Sequence, residues 1–390
     1  MKVVCIGSAN MEILFSRDSL PRAMTGEDPL EKFSGGKYGL TSYGYLWGEK
    51  ITEYSLDIGD NKQVVTFSAP STLRLSPGGG AVAIALGLAG AGAEVKVITA
   101  LADNPKDFFS AGIKTYLEKK GMQFLSVFSR QATPVTFIIW GLPEGVERSI
   151  VFAYKPPYHL KKKQIERVLR DLRAEQGVTH LVAAGIRQLD ELPFIASAFA
   201  IAEKYGVVTC FTPNEGLLAP TKKSQDKKKM SRADKKKELE RKLLLGDILR
   251  KTKILQINER EVAVYLGLGR RRLRFPEDVK ALADIAKVPI TIVTRSAKGV
   301  AAVIDGQYYQ IPAFPPQRIQ DTSGAGDAFT VGFLFGHDRK CSPIECLRLG
   351  AYSASGNIGF PGGHAGIPKG DALLQYLQQL QQSPTESTPS

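Results

Sequence analysis

Between residues 180 and 294 four short apolar runs recur: His180 to Ala184, Val207 to Phe211, Ile254 to Ile257 and Val288 to Thr294. Each is too short for a helix and rich in β-branched residues, so each predicts a buried strand. Helical periodicity separates them, as in Glu191 to Tyr205. Strands that alternate with helices cannot pair as hairpins, so this order predicts a parallel sheet covered by helices on both faces. Val3 to Gly7 and Val95 to Ala100 add two more such runs. The pattern further predicts helices at Ala81 to Gly92, Asp107 to Lys120, about Lys162 to Gln176, Pro343 to Phe360 and Asp371 to Gln382. Gln307 to Ile311 reads as a hairpin strand.

Asp321-Thr322-Ser323-Gly324-Ala325-Gly326-Asp327-Ala328-Phe329 then runs into the apolar stretch Thr330 to Gly336. It reads as a tight turn opening a buried helix. The first amides of a helix have no intrahelical partner, and the helix dipole adds partial positive charge there. Gly324, Ala325 and Gly326 carry no bulk to hold a ligand away, so their amides suit an anion. Asp327 falls in the first turn. A carboxylate beside an anion-binding turn fits phosphoryl transfer, where a base takes the acceptor's proton while amides stabilise charge on the moving group. Taken alone, a GxGD string is equally a plain loop entering a helix.

The full DTSGAGDAF string resembles the second signature of the ribokinase-like (PfkB) carbohydrate kinase family, DTxGAGD. Further segments follow in that family's order. Ser8-Ala9-Asn10-Met11-Glu12 is similar to its G-S-x-N-x-D opening, and Gly78-Gly79 with the helix after it resembles its first signature. Asn258-Glu259-Arg260-Glu261 matches its N-x-x-E, and Thr294 to Gly299 its T-x-G-x-x-G turn with Ser296 in place of the first glycine. The resemblance covers roughly residues 1–380. It implies an α/β fold: a ribokinase-like, doubly wound, mostly parallel sheet flanked by helices, with a small β-rich lid. The lid segments fall at about 15–75 and 124–155, where Ile51 to Ile58, Gln63 to Phe67, Phe124 to Phe128, Pro134 to Trp140 and Arg148 to Tyr154 read as strands, with a turn at Pro143 to Gly145.

The resemblance also implies roles. Asp327 is the base, and the amides of Gly324, Ala325 and Gly326 form the anion hole. ATP lies along Thr294, Ser296, Gly299 and the last helices, including Asn357. Asn258 and Glu261 order water around Mg²⁺ and phosphate, although a helix cap with a capping-box Glu explains that pair equally well. Asn10, Glu12, Gly78 and Gly79 hold the acceptor. Asp321 and Ser323 match positions that bind a monovalent cation such as K⁺ in some members. Two positions depart from the family. Its substrate-binding aspartate is Glu12 here, one methylene longer, and its sugar-contacting asparagine is Ala83. The acceptor is accordingly a sugar or sugar-like molecule other than ribose, or a nucleoside. A non-catalytic binding or regulatory protein on the same fold is the alternative, and the retained Asp327 speaks against it. Family members often pair through their lids, so a homodimer is the oligomeric expectation.

The formal charge of +13 raises the question of a nucleic-acid partner. Much of the excess is local, in Lys161 to Lys163, in Lys222 to Lys242 and in Arg270 to Arg274. The middle run, within an insertion at about 217–242, mixes in acids and has no interleaved aromatics to stack on bases, so it reads as a solvated helix or disordered insertion. The four cysteines lack CxxC spacing, and the four histidines are scattered. That disfavours a zinc site and predicts reduced thiols. No apolar run reaches the roughly 18 residues of a membrane span, and the N-terminus enters a strand without a signal-peptide layout. The expectation is a cytoplasmic protein with a disordered tail over 383–390.

Overall fold

The computed structural model describes residues 1–16, 53–58, 63–68, 74–99, 101, 107–126, 128–130, 133, 135–140, 149–154, 158–160, 170, 177–186, 191–218, 231–268 and 272–382. The helix expected at about 162–176, the turn at 143–145, the Lys161 to Lys163 run, residues 219–230 of the basic insertion and the tail therefore lie outside the described residues, Arg170 apart.

The centre is a nine-stranded open sheet. Its strands are β1 (Lys2–Gly7), β6 (Glu94–Thr99), β7 (Gln123–Ser126), β12 (His180–Ile186), β13 (Val208–Pro213), β14 (Ile254–Asn258), β15 (Ile290–Thr294), β16 (Val300–Ile304) and β17 (Gln307–Ile311). They lie in the order β17-β16-β15-β14-β13-β12-β1-β6-β7. All neighbours from β7 to β15 pair in parallel, and β16 and β17 close one edge as an antiparallel hairpin. The alternating apolar runs form the strands predicted from them, because strands buried on both faces need apolar residues at consecutive positions. In β1, Val4 and Ile6 join one core cluster while Val3 and Cys5 join the other.

Helices cover both faces. One core cluster is closed by α3 (Leu192–Lys204), α4 (Arg232–Arg250), α5 (Glu259–Tyr265) and α6 (Glu277–Ala286). The other is closed by α1 (Gly80–Gly90), α2 (Phe108–Lys119), α7 (Ala325–Asp338) and α8 (Pro343–Ile358). Small residues let α1, α7 and α8 approach closely. A Cβ on Gly332 of α7 would lie 2.2 Å from Leu349 O of α8, and one on Gly87 of α1 would meet Val331 of α7 at 2.6 Å. The closing helix α9 (Gly370–Gln382) buries Leu373 and Leu377.

A second sheet of four strands has the order β10-β9-β2-β5, from β2 (Asn10–Ser16), β5 (Arg74–Gly78), β9 (Val135–Trp140) and β10 (Ser149–Tyr154). Two hairpin-like pairs accompany it: β3 (Glu53–Ile58) with β4 (Gln63–Ser68), and β8 (Phe128–Arg130) with β11 (Tyr158–Leu160). The run expected as one strand from Phe124 to Phe128 divides. Gln123–Ser126 pairs with β6 as the edge of the main sheet, so the small β-structure begins after it.

The described part of the basic insertion is helical. Ser231 and Asp234 form a capping box, and Lys235, Lys236, Lys237 and Lys242 are exposed. Arg241 breaks the solvated pattern. It is buried, donates to Leu217 O at 2.8 Å and forks onto both carboxylate oxygens of Glu238.

Candidate active site

β1 is flanked by β6 on one side and β12 on the other, so the chain reverses its order across the sheet there. In open parallel sheets a crevice opens at such a point, beyond the carboxyl ends of the strands. The sequence-derived residues gather along that edge. Gly7 ends β1, Asn258 ends β14 and Thr294 ends β15, with Asn258 and Thr294 directly paired.

Gly324 caps α7 in the left-handed region at φ 69°, with no side-chain cap. The opening amides therefore depend on other partners, and Ala325 N reaches Thr322 O only at 3.4 Å. Gly324, Ala325, Gly326 and Asp327 are all partly exposed, which the rest of the helix down to Gly336 is not. Asp327 faces the start of α1. A Cβ built on Gly80 would lie 3.3 Å from Asp327 Oδ1 and 3.0 Å from Gly185 N, so these segments pack tightly together. Gly80 N donates to Ser8 Oγ at 3.1 Å, tying α1 to the end of β1. Gln256 of β14 supports the turn from below: Thr330 Oγ1 donates toward Gln256 Oε1 at 2.9 Å and Gly326 O at 3.1 Å.

A buried clasp joins this turn to the segment after α8. Asp321 Oδ1 accepts from Ser323 N and Oδ2 from Gly362 N, both at 2.8 Å. Asn357 is fully buried. It donates to Ser323 O at 2.9 Å and Gly363 O at 3.4 Å, and accepts from Gly366 N at 3.3 Å. Its amide is thus committed to backbone groups of the 323 and 363–366 segments. Glu12 is also buried, and its Oε2 accepts from Gly363 N at 3.1 Å.

The other expected acceptor residues surround Glu12. Gly78 lies against its carboxylate, and Gly79, at φ 92°, packs against Ser8 O and Asn10 Oδ1. Asn10 donates from Nδ2 to Thr136 Oγ1 at 2.9 Å, fastening β2 to β9. Ala83 is buried inside α1.

On the expected nucleotide side, Ser296 is exposed at φ 50° and Thr294 is partly exposed, whereas Gly299 is buried beneath Ile311 and Pro312. Gly299, at φ 87°, leaves no room for a Cβ against Ile311 O, so the turn requires glycine there. Asn258 and Glu261 form the reciprocal cap, Glu261 N to Asn258 Oδ1 at 2.9 Å and Asn258 N to Glu261 Oε2 at 2.8 Å. Arg295 stacks on Phe275, its guanidinium carbon 3.7 Å from the ring centroid, and Arg295 and Lys298 both pair with Glu259.

The residues fit the implied groups unequally. The α7 amides and their open approach suit a phosphate. Ser323 Oγ is buried without a hydrogen-bond partner beside Asp321, which suits a further oxygen-seeking ion. Among the described residues no group of three or more His, Cys, Asp or Glu side chains gathers to hold a metal. A magnesium ion here would be carried largely by water and phosphate, as is usual for that ion.

Sequence reading alone gave no individual role to Ser8 or Gly80 and did not single out Gly185 or Gln256. Gln256 carried a signal, being a polar residue inside the apolar run ILQI. Gly362-Gly363 reads as a turn, but its contacts with Glu12 and Gly324 appear only in the fold.

Comparison with known proteins accounts for this arrangement. The model of the pfkB family carbohydrate kinases matches residues 46–370, so the chain belongs to that family. It is 38% identical over 121 residues to a cytidine kinase of Thermococcus kodakarensis, a match covering 30% of this chain and 40% of that one. It is 30% identical over 136 residues to a ribokinase of Arabidopsis thaliana, covering 34% and 35%. The matched stretches thus span well under half of these curated relatives. Among solved structures, Arabidopsis thaliana ribokinase complexed with ribose and ATP superposes with TM-score 0.61 at 18% identity, covering 97% of this chain and 98% of the other. Adenosine kinase from Sinorhizobium meliloti gives 0.62 at 20%, covering 96% and 99%. These likenesses establish the ribokinase fold.

Proposed function

We propose that this protein is an ATP-dependent kinase that transfers the γ-phosphoryl group to a hydroxyl of a small sugar or nucleoside. The observation that carries the reading is the position of Asp327, in the first turn of α7, beside the Gly324–Gly326 amides and facing the glycine-lined start of α1. Asp327 takes the proton of the acceptor hydroxyl. The acceptor oxygen then bonds to the γ-phosphorus as the bond to the β,γ-bridging oxygen breaks, and ADP leaves. The amides of Gly324, Ala325 and Gly326 stabilise charge on the phosphoryl oxygens during transfer. Mg²⁺ supplies charge neutralisation of the phosphates when bound, near Asn258 and Glu261. Asp321 and the orphan hydroxyl of Ser323 would hold a monovalent cation under the turn. Thr294 and Ser296 border the nucleotide, and the four-stranded sheet with its neighbouring pairs acts as the lid. The free thiols agree with a cytoplasmic setting.

A nucleoside acceptor is favoured within this reading by the cytidine kinase match, which is the higher of the two identities given. ADP release from Mg-ATP, measured across pentoses, hexoses, sugar acids and nucleosides including cytidine, tests it. Stimulation by at least one compound is expected. No stimulation by any member of the panel, with ATP binding intact, would contradict the kinase reading.

A further inference from the structure

The carboxylate of Glu12 occupies a seat built for it. Gly78, across the β2–β5 pair, lies so close that a Cβ there would fall 2.1 Å from Glu12 Oε1 and 2.2 Å from its Cδ. Gly78 has no positive φ, so its glycine is explained by this approach and not by backbone conformation. From that seat Oε2 accepts from Gly363 N at 3.1 Å. The carbonyl of the same Gly363 abuts Gly324: a Cβ on Gly324 would lie 2.0 Å from Gly363 O. Two direct contacts therefore link Glu12 to the first residue of the anion-binding turn. The adjacent amide, Gly362 N, is held by Asp321, and Asn357 grips Gly363 O. The turn at 362–363 is thus fixed from three sides, and Glu12 brings a hydrogen bond to it from the small sheet.

We propose that Glu12 is a positioning residue: seated against Gly78, it holds the Gly362–Gly363 turn against Gly324 and so sets the anion-binding amides, instead of binding acceptor hydroxyls. The extra methylene is what makes this work. Shortening the side chain by one carbon withdraws the carboxylate by about 1.5 Å, which breaks the bond to Gly363 N. Glutamate at this position thereby couples the small sheet to the turn over α7, and the acceptor must find its polar partners elsewhere along the crevice. The catalytic consequence rests on the kinase reading above; the contact itself does not.

The test compares Glu12→Ala, Glu12→Asp, Glu12→Gln and Gly78→Ala in the full chain. Hydrogen exchange of the 359–368 segment is read without any ligand. Losing the carboxylate contact should speed exchange there by about 10- to 100-fold in Glu12→Ala and Glu12→Asp. Gly78→Ala, which keeps Glu12 but fills its seat, should do the same. Glu12→Gln keeps an acceptor oxygen at full length and should remain within about fivefold of the parent. With Mg-ATP and cytidine or ribose as probes, the first three variants should lose kcat by about 10- to 100-fold with little change in KM for the probe. Glu12→Gln should recover most of that loss. Parent-like exchange in Glu12→Asp would overturn the proposal, as would a raised KM with unchanged kcat, the mark of a direct acceptor ligand. Failure of the parent protein to turn over either probe would bear on the acceptor, while the exchange result would still decide the role of Glu12.

Discussion

Gly324 and Gly306 both carry a positive φ, 69° and 83°, but their surroundings differ. A Cβ on Gly306 would meet nothing within 4 Å, whereas one on Gly324 collides with Gly363 O. Gly306→Ala should therefore cost about 1 kcal/mol, the backbone penalty alone. Gly324→Ala adds a clash with fixed backbone and should cost more than about 3 kcal/mol, or displace the turn and abolish turnover. Urea melts of the two variants decide this: equal costs would contradict the packing of the turn described above. At this scale the sequence showed the turn but not its neighbours. DTSGAGD marks the turn and the opening amides of α7 because glycines and a first-turn acid are local features. The contacts of Glu12 with Gly363 and of Asn357 with Ser323 join residues 351 and 34 positions apart, which no local pattern records. Only the fold brings them together.

Elements are held by a few buried polar ties whose loss has a definite sign. Arg241 fixes α4 to Leu217 while pairing with Glu238. The Arg241 hydrogen bond holds the Glu238 carboxyl below its ordinary range, against the opposing effect of burial. Its stabilisation is present above the unfolded carboxyl value near pH 4.3 and is lost as pH falls through the lower folded value. Arg241→Ala leaves the peptide oxygen and carboxylate without their partner and should cost about 3 kcal/mol at pH 7. Denaturant titration measures it, and a cost below about 1 kcal/mol would show the pair to be an ordinary surface bridge. His180, at the start of β12, packs edge-on to His337 at the far end of α7. Burial, then His337, pushes the His180 pKa down to about 4. The unfolded chain thus binds the proton first, so stability is full above about pH 6.5 and falls as pH drops toward the folded value. Between pH 7 and 5 the parent should lose about 2 kcal/mol more than His180→Gln; equal losses would contradict the assignment. The main-sheet elements were readable because strands buried on both faces write themselves as continuous apolar runs. The boundary of the main sheet was blurred because Gln123–Ser126 and Phe128–Arg130 are nearly contiguous yet belong to different sheets.

Across the whole molecule, one core cluster takes in three of the four thiols. Cys5 and Cys210 are buried in the sheet and Cys346 in α8, and burial raises all three, Cys210 and Cys346 to about 12. A thiol reagent at neutral pH should modify at most Cys341 in the folded protein and all four cysteines after denaturation. Rapid modification of more than one thiol in the native state would contradict the packing. The same architecture places α7 at the meeting point of the sheet edge, α1 and the clasp, which is why one helix terminus gathers the chemistry. The measurement that tests this most directly is the turnover of Asp327→Asn beside its affinity for ATP, using an acceptor active with the parent protein. The account predicts a loss of kcat of about 10²- to 10⁴-fold with ATP affinity nearly unchanged. Turnover within a few-fold of the parent would remove Asp327 as the base and contradict the central claim.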